Sequence, residues 1–128
     1  MKSFEDVLRE RSFAFWARGA HAIMPDAFVD RLVRGEAVLL DLRSEEEVAH
    51  LAFPGALHIP LEQLPDRWQE VPRDKLVAAF CPGGSRSILA QAYLEMKGYT
   101  NVRVLRGGYA GITSELVPPK LGRRLREA

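Results

Sequence analysis

The stretch that most restricts the fold runs from Leu76 to Leu94, LVAAFCPGGSRSILAQAYL. Leu76 to Phe80 is a short apolar run of the kind a strand buried on both faces shows, and Ser87 to Met96 carries apolar residues at helical spacing. The piece between them, Cys81 to Arg86, has to turn sharply. Pro82 supplies a fixed backbone angle, Gly83 and Gly84 supply permissive ones, and Ser85 or Ser87 can cap the helix that follows. Cys81 then stands at the carboxyl end of a strand facing a helix amino terminus, where partial positive charge and free N–H groups collect. A thiol of about pKa 8.5 in that field, with Arg86 nearby, loses its proton more readily. Free cysteines are often buried as small inert hydrophobes. Such a residue does not need a glycine-rich turn, a helix start and an arginine after it, so the spacing favours a nucleophilic thiolate in an anion-binding cup.

Cys81 is the only cysteine in 128 residues, which excludes an internal disulfide and any multi-cysteine metal site and fits a reducing compartment. The length suits one domain with its own core, and 47% hydrophobic with 27% charged residues fits a soluble globular protein. Met1 to Arg18 is interrupted by Glu5, Asp6, Arg9, Glu10 and Arg11, unlike a signal peptide, and no stretch is long enough for a membrane span. The expectation is a cytoplasmic protein with no membrane association. A net charge of +1 gives no reason to expect nucleic acid as a partner, but its distribution is uneven. From Cys81 onward eight Lys or Arg face only Glu95, Glu115 and Glu127, whereas Asp41 to Phe80 is net acidic, so the last third is biased toward small anions.

Along the chain, Lys2 to Gly19 reads as one amphipathic helix with Phe4, Val7, Leu8, Phe15 and Trp16 near one face. It lies before the first strand as an addition to the core, packed on its own chain or serving as a docking or dimer surface. Asp26 to Arg34 reads as a second helix and Ala37 to Leu42 as the first strong strand. Ser44 and Glu47 form a capping-box pattern, with Glu45, Glu46 and Glu47 as a solvated first turn. Asp41, embedded in its strand, needs a partner, either Arg43 or a cluster of backbone N–H groups. Leu57 to Ile59 is a short strand and Leu61 to Trp68 is helical in pattern. His50 and His58 have no companions at metal-ligand spacing and read as surface or structural residues. Val102 to Leu105 is a further strand, Gly107 and Gly108 give a tight exit, and Tyr109 to Leu116 forms a short helix. In the tail from Pro118, Leu121 and Leu125 share a face among Lys120, Arg123, Arg124 and Arg126, a basic end packed by two leucines or frayed.

Strands alternating with helices imply an α/β fold, a parallel sheet with helices on both faces. Ligand crevices in such sheets lie beyond the carboxyl ends of the strands, so Asp41 to Arg43, the Cys81 loop and Gly107 to Gly108 should meet at one rim.

These residues resemble a known family. VLLDLRSEEEVAHLAFPGALHIPL followed by VAAFCPGGSRSILAQAYLEMKGYTNVRVLRGGY is similar to the single-domain rhodanese pattern across roughly Met24 to Glu115. The matching pieces are an Asp-x-Arg after the first strand, Pro-Gly-Ala before Ile-Pro, Cys-x4-Arg-Ser, and Gly-Tyr-x-Asn-Val before Leu-x-Gly-Gly-Tyr, in that order. The resemblance divides the chain into an N-terminal helical extension (1–23), a rhodanese-like domain (24–116) and a basic C-terminal tail (117–128). It implies a sulfurtransferase that moves sulfane sulfur from thiosulfate or a persulfide donor to a thiol or cyanide through a persulfide on Cys81, with no metal or organic cofactor. The amides of Gly83, Gly84, Ser85, Arg86 and Ser87 would line the cup, Arg86 would hold the donor anion, and Asp41 and Arg43 would support the rim. Relatives that act on phosphate or arsenate carry a loop one residue longer, whereas here only Pro82 to Ser85 separate Cys81 from Arg86. The alternative is a non-catalytic or regulatory binding module on the same fold, working through the N-terminal helix and the basic tail.

Overall fold

The computed structural model describes residues 1–128. Five strands form one parallel sheet: β1 (Ala22–Ile23), β2 (Ala37–Asp41), β3 (Leu57–His58), β4 (Leu76–Phe80) and β5 (Val102–Leu105), in the order β1-β5-β4-β2-β3. The apolar run around which the chain is organised is the central strand β4, and Val77 to Phe80 are wholly buried because helices cover both faces. Its side chains alternate between two cores. Val77 and Ala79 join Leu40, Leu42, Ala90 and Leu94 beneath α6 (Ser85–Met96), whereas Ala78 and Phe80 join Leu39 and the inward residues of α3 (Pro25–Val33) and α7 (Gly108–Glu115). The fold class expected from the sequence is the one observed.

Four local readings change. The helix expected over Lys2 to Gly19 divides at Arg11, giving α1 (Phe4–Glu10) and α2 (Phe13–Ala17), because the Ser12 hydroxyl accepts from the amide of Phe15 and starts a new helix. The apolar stripe divides with it: Val7 is buried against α6, while Phe4, Leu8, Phe13 and Trp16 are exposed. Arg11 ties this segment to α6 by donating to Glu95 at 2.8 Å and to Gln91 Oε1 at 3.3 Å. Strand β1 has no expectation behind it, since two residues carry no periodicity. It exists because the amide of Val104 donates to His21 O at 2.8 Å and Gln91 Nε2 donates to both His21 O and Val102 O. Leu61 to Trp68 is helical but irregular, a 3₁₀ turn at Leu61–Gln63, then α5 (Leu64–Arg67), then a second 3₁₀ turn at Trp68–Glu70. The tail is ordered as α8 (Pro118–Glu127), and its anchor is not a leucine pair. Leu125 is exposed, Leu121 is half-buried, and Arg124 is buried between Asp30 and Glu115 at 2.6 Å each. No helix is long and apolar enough to cross a membrane.

Candidate active site

The turn after β4 is shaped by one backbone angle. Gly84 has φ of 86°, the left-handed region that costs a residue with a Cβ about 1–2 kcal/mol, and it is the N-cap of α6. The expectation that Ser85 or Ser87 caps this helix is therefore corrected: Ser85 is its first residue, Ser87 lies two further on, and no side chain caps it. The sulfur takes the acceptor's place there: the chain folds back over it, and the amide of Gly84 donates to Cys81 Sγ at 3.1 Å.

Burial pushes the Cys81 thiol up, but the Ser87 hydroxyl and the amides of Ser87, Gly84 and Arg86 outweigh it, so the group lies below an ordinary thiol. The Ser87 hydroxyl is sealed from solvent and makes no hydrogen bond in the structure, so it is a donor still free for the thiolate near it. Cys81 is only 2% exposed as a residue. It nonetheless lines an open cleft of about 510 Å³ together with Gly83, Gly84 and Ser85 of its own loop. Cys81 is thus nearly enclosed and meets the cleft only as part of its lining.

The three post-strand segments meet as topology requires. Asp41 is level with Phe80 in the β2–β4 register, so Leu42 and Arg43 leave β2 where Cys81 leaves β4. Gly108 closes the third side, and a Cβ there would stand 2.8 Å from Pro82 O. Asp41 finds the partner expected for it: Arg43 donates from Nη2 at 2.6 Å and from Nε at 2.9 Å, and both residues are buried. Arg43 also donates to Tyr109 Oη at 3.1 Å and lies over the rings of Phe53, Phe80 and Tyr109. His58 Nε2 pairs with Arg43 O at 2.7 Å, a structural role that holds the strand end. The rim is therefore braced by one buried ion pair stacked among aromatic rings.

Arg86 stands differently from the sequence reading. It bonds both carboxylate oxygens of Glu47, at 2.7 and 3.1 Å, and does not line the cleft. Glu47 is accordingly not part of a merely solvated turn; the Arg86 guanidinium and the Ser44 amide pull its carboxyl down to about 2. The Ser44–Glu47 capping box forms as expected at the start of α4 (Glu45–His50), and it aims the carboxylate at Arg86.

Two residues that sequence reasoning passed over do line the cleft: His21 and Arg106. The signal for Arg106 was present, since it follows β5 as Cys81 follows β4, and continuing the pairing of Ala79 with Val104 makes them level. His21 gave no signal, because the two-residue strand it precedes has no pattern. No three His, Cys, Asp or Glu side chains come together as a metal site would need.

Residues 24–115 match the family model described as the rhodanese-like domain. A sulfurtransferase of Allochromatium vinosum is 42% identical over 84 residues, covering 65% of this chain and 78% of that protein. A tRNA uridine(34) hydroxylase of Xanthomonas campestris is 39% identical over 84 residues, covering 58% of this chain and 32% of that protein. Among solved structures, a human single-domain sulfurtransferase superposes with a TM-score of 0.63 at 29% identity, covering 76% of this chain and 98% of that one. With the sheet order, the loop after β4 and this match over most of its length, the chain belongs to the rhodanese-like domain family.

Proposed function

We propose that this protein is a sulfurtransferase whose Cys81 carries sulfane sulfur as a persulfide. The observation that carries the reading is the contact of the Gly84 amide with Cys81 Sγ at 3.1 Å, in a residue that lines an open cleft. That arrangement favours an anion on sulfur, and the adjoining cleft has the volume for a second sulfur atom.

In the first half-reaction the Cys81 thiolate attacks the outer sulfur of thiosulfate. A new S–S bond forms, the old one breaks with its electron pair going to sulfite, and sulfite departs. The terminal sulfur of the persulfide then rests among the loop amides of Gly83, Gly84, Ser85, Arg86 and Ser87. In the second half-reaction a thiolate or cyanide attacks that terminal sulfur, and its bond to Cys81 breaks to restore the thiolate. Arg86, held by Glu47, adds positive potential that favours the thiolate, consistent with the mutual attraction between the two groups. Asp41 and Arg43 keep the rim rigid beneath the loop. One covalent intermediate shared by two half-reactions predicts ping-pong kinetics, with parallel double-reciprocal plots.

The test is the intact mass of the protein after incubation with thiosulfate. A gain of one sulfur atom, absent in Cys81→Ala and removed by cyanide, is expected. Absence of an adduct from thiosulfate and from a persulfide donor would overturn the reading in favour of a binding module.

A further inference from the structure

The cleft is larger than thiosulfate requires. A water molecule occupies ~30 Å³, thiosulfate only a few times that, and the cleft holds about 510 Å³, the range typical of sites for larger organic ligands. It also continues: a second hollow of about 390 Å³ shares His21 and Arg106 with the first and is bounded beyond them by Trp16 and Arg18. No Asp or Glu lines either hollow, and neither Arg106 nor Arg18 is in an ion pair.

Between the hollows stands His21, 8% exposed, with Nδ1 sealed and without a hydrogen-bond partner. Only Nδ1 is sealed in this way, which leaves Nε2 as the nitrogen open to a ligand. The ring packs on Trp16 at 4.7 Å and on Phe15 at 5.9 Å, and its carbonyl is clamped by Gln91 and Val104, so its position is built rather than incidental. Burial first, then the charges of Arg106 and Arg11, push the imidazole down, so near neutrality it is an uncharged hydrogen-bonding group. Arg18 and Arg106 are exposed and lack counter-charges, so with no carboxylate in either hollow they give the mouth of the cleft a positive potential that draws an anionic group, and the accessible nitrogen of His21 adds a hydrogen-bonding partner there.

We propose that His21, Arg106 and Arg18 form a second recognition site at the mouth of the cleft, which takes a thiol acceptor bearing a carboxylate beyond its reacting sulfur. This rests on the sulfurtransferase reading above. The acceptor thiol gives its proton to the buffer, and its sulfur attacks the terminal sulfur of the Cys81 persulfide. The S–S bond to Cys81 breaks with the electron pair left on Cys81, and the acceptor leaves as its own persulfide. Two of the three recognition residues, His21 and Arg18, lie outside the matched region 24–115, so acceptor preference would be a property of the N-terminal segment.

The experiment loads Cys81 with thiosulfate, removes excess donor, and follows loss of the extra sulfur by intact mass. Mercaptoacetate, glutathione, β-mercaptoethanol and cysteamine are compared at equal thiolate concentration. The two carboxylate thiols should discharge the persulfide fastest. Arg106→Gln and Arg18→Gln should each slow them about fivefold to tenfold, the size of one charge-assisted contact at a partly exposed site, and change β-mercaptoethanol less than twofold. His21→Phe, which keeps a ring against Trp16, should slow the same two acceptors. Equal effects on all four thiols, or no effect, would overturn the second site while leaving the sulfurtransferase reading intact. Failure of Cys81 to load at all would remove both. Direct calorimetric binding of S-methylglutathione to Cys81→Ala, lost in Arg106→Gln, is the corresponding result without turnover.

Discussion

The two flanks of Cys81 are built on opposite principles. On the β2 flank the charges that bear on the loop are paired, Asp41 with Arg43 and Arg86 with Glu47, and the Arg43 carbonyl is met by His58. On the β1 flank Arg106 and Arg18 are exposed with no carboxylate partner, and His21 lines the same hollow. Charges that satisfy each other maintain a shape, and charges left unsatisfied are available to a ligand. Stability should therefore depend on the first flank and acceptor choice on the second.

The strongest way to break this contrast is to remove one member of the buried pair. Arg43→Ala leaves Asp41 charged in the core and is expected to cost about 3–5 kcal/mol, measured by urea unfolding. If the loss is below 1 kcal/mol, the brace is not structural. Next, Gly108→Ala places a methyl against Pro82 O at a φ of 58°. About 1–3 kcal/mol is expected from strain and loop displacement, together with slower persulfide formation. An unchanged loading rate would show that the loop can shift without affecting the cup.

Ser87→Ala tests the sulfur's own surroundings. Loss of the hydroxyl raises the Cys81 pKa, so the rate of loading should fall more at acid pH than at alkaline pH. A uniform drop across pH would argue that Ser87 only packs. The smallest effect concerns the partly exposed Glu47–Arg86 pair, worth under about 1 kcal/mol. Because folding lowers the Glu47 pKa from 4.5 to about 2, its contribution is present above the unfolded value and is lost as pH falls toward 2. The stability difference between the native protein and Glu47→Gln should shrink over that window. Against these, Arg106→Gln on the other flank should change stability by less than about 0.5 kcal/mol.

Much of the fold was legible because it is written in local patterns. LVAAF reads as a buried strand whatever surrounds it, and Ser44 with Glu47 reads as a capping box because both partners are three residues apart. Cys81 and its loop were legible for the same reason, as turn, nucleophile and helix start are contiguous. Asp41 with Arg43 lay two residues apart and could be paired on chemistry alone. The Glu47–Arg86 contact spans 39 positions, and nothing in either segment names the other. The break at Ser12 was missed because periodicity continued across it while a local cap started a second helix. The anchoring of α8 through Arg124 was missed because its partners, Asp30 and Glu115, lie on two other helices.

The amino-acid order alone determined the parallel α/β arrangement, the strand at its centre and the chemical type of the group at its end, since each follows from spacing within a few residues. Only the tertiary structure decided which charges meet and which are left over. It turned Arg86 toward Glu47, kept it out of the cleft, and brought His21 and Arg106 to the cleft instead. The physical reason is that backbone periodicity is a short-range property, whereas the pairing of side-chain charges depends on which strand ends the sheet brings side by side.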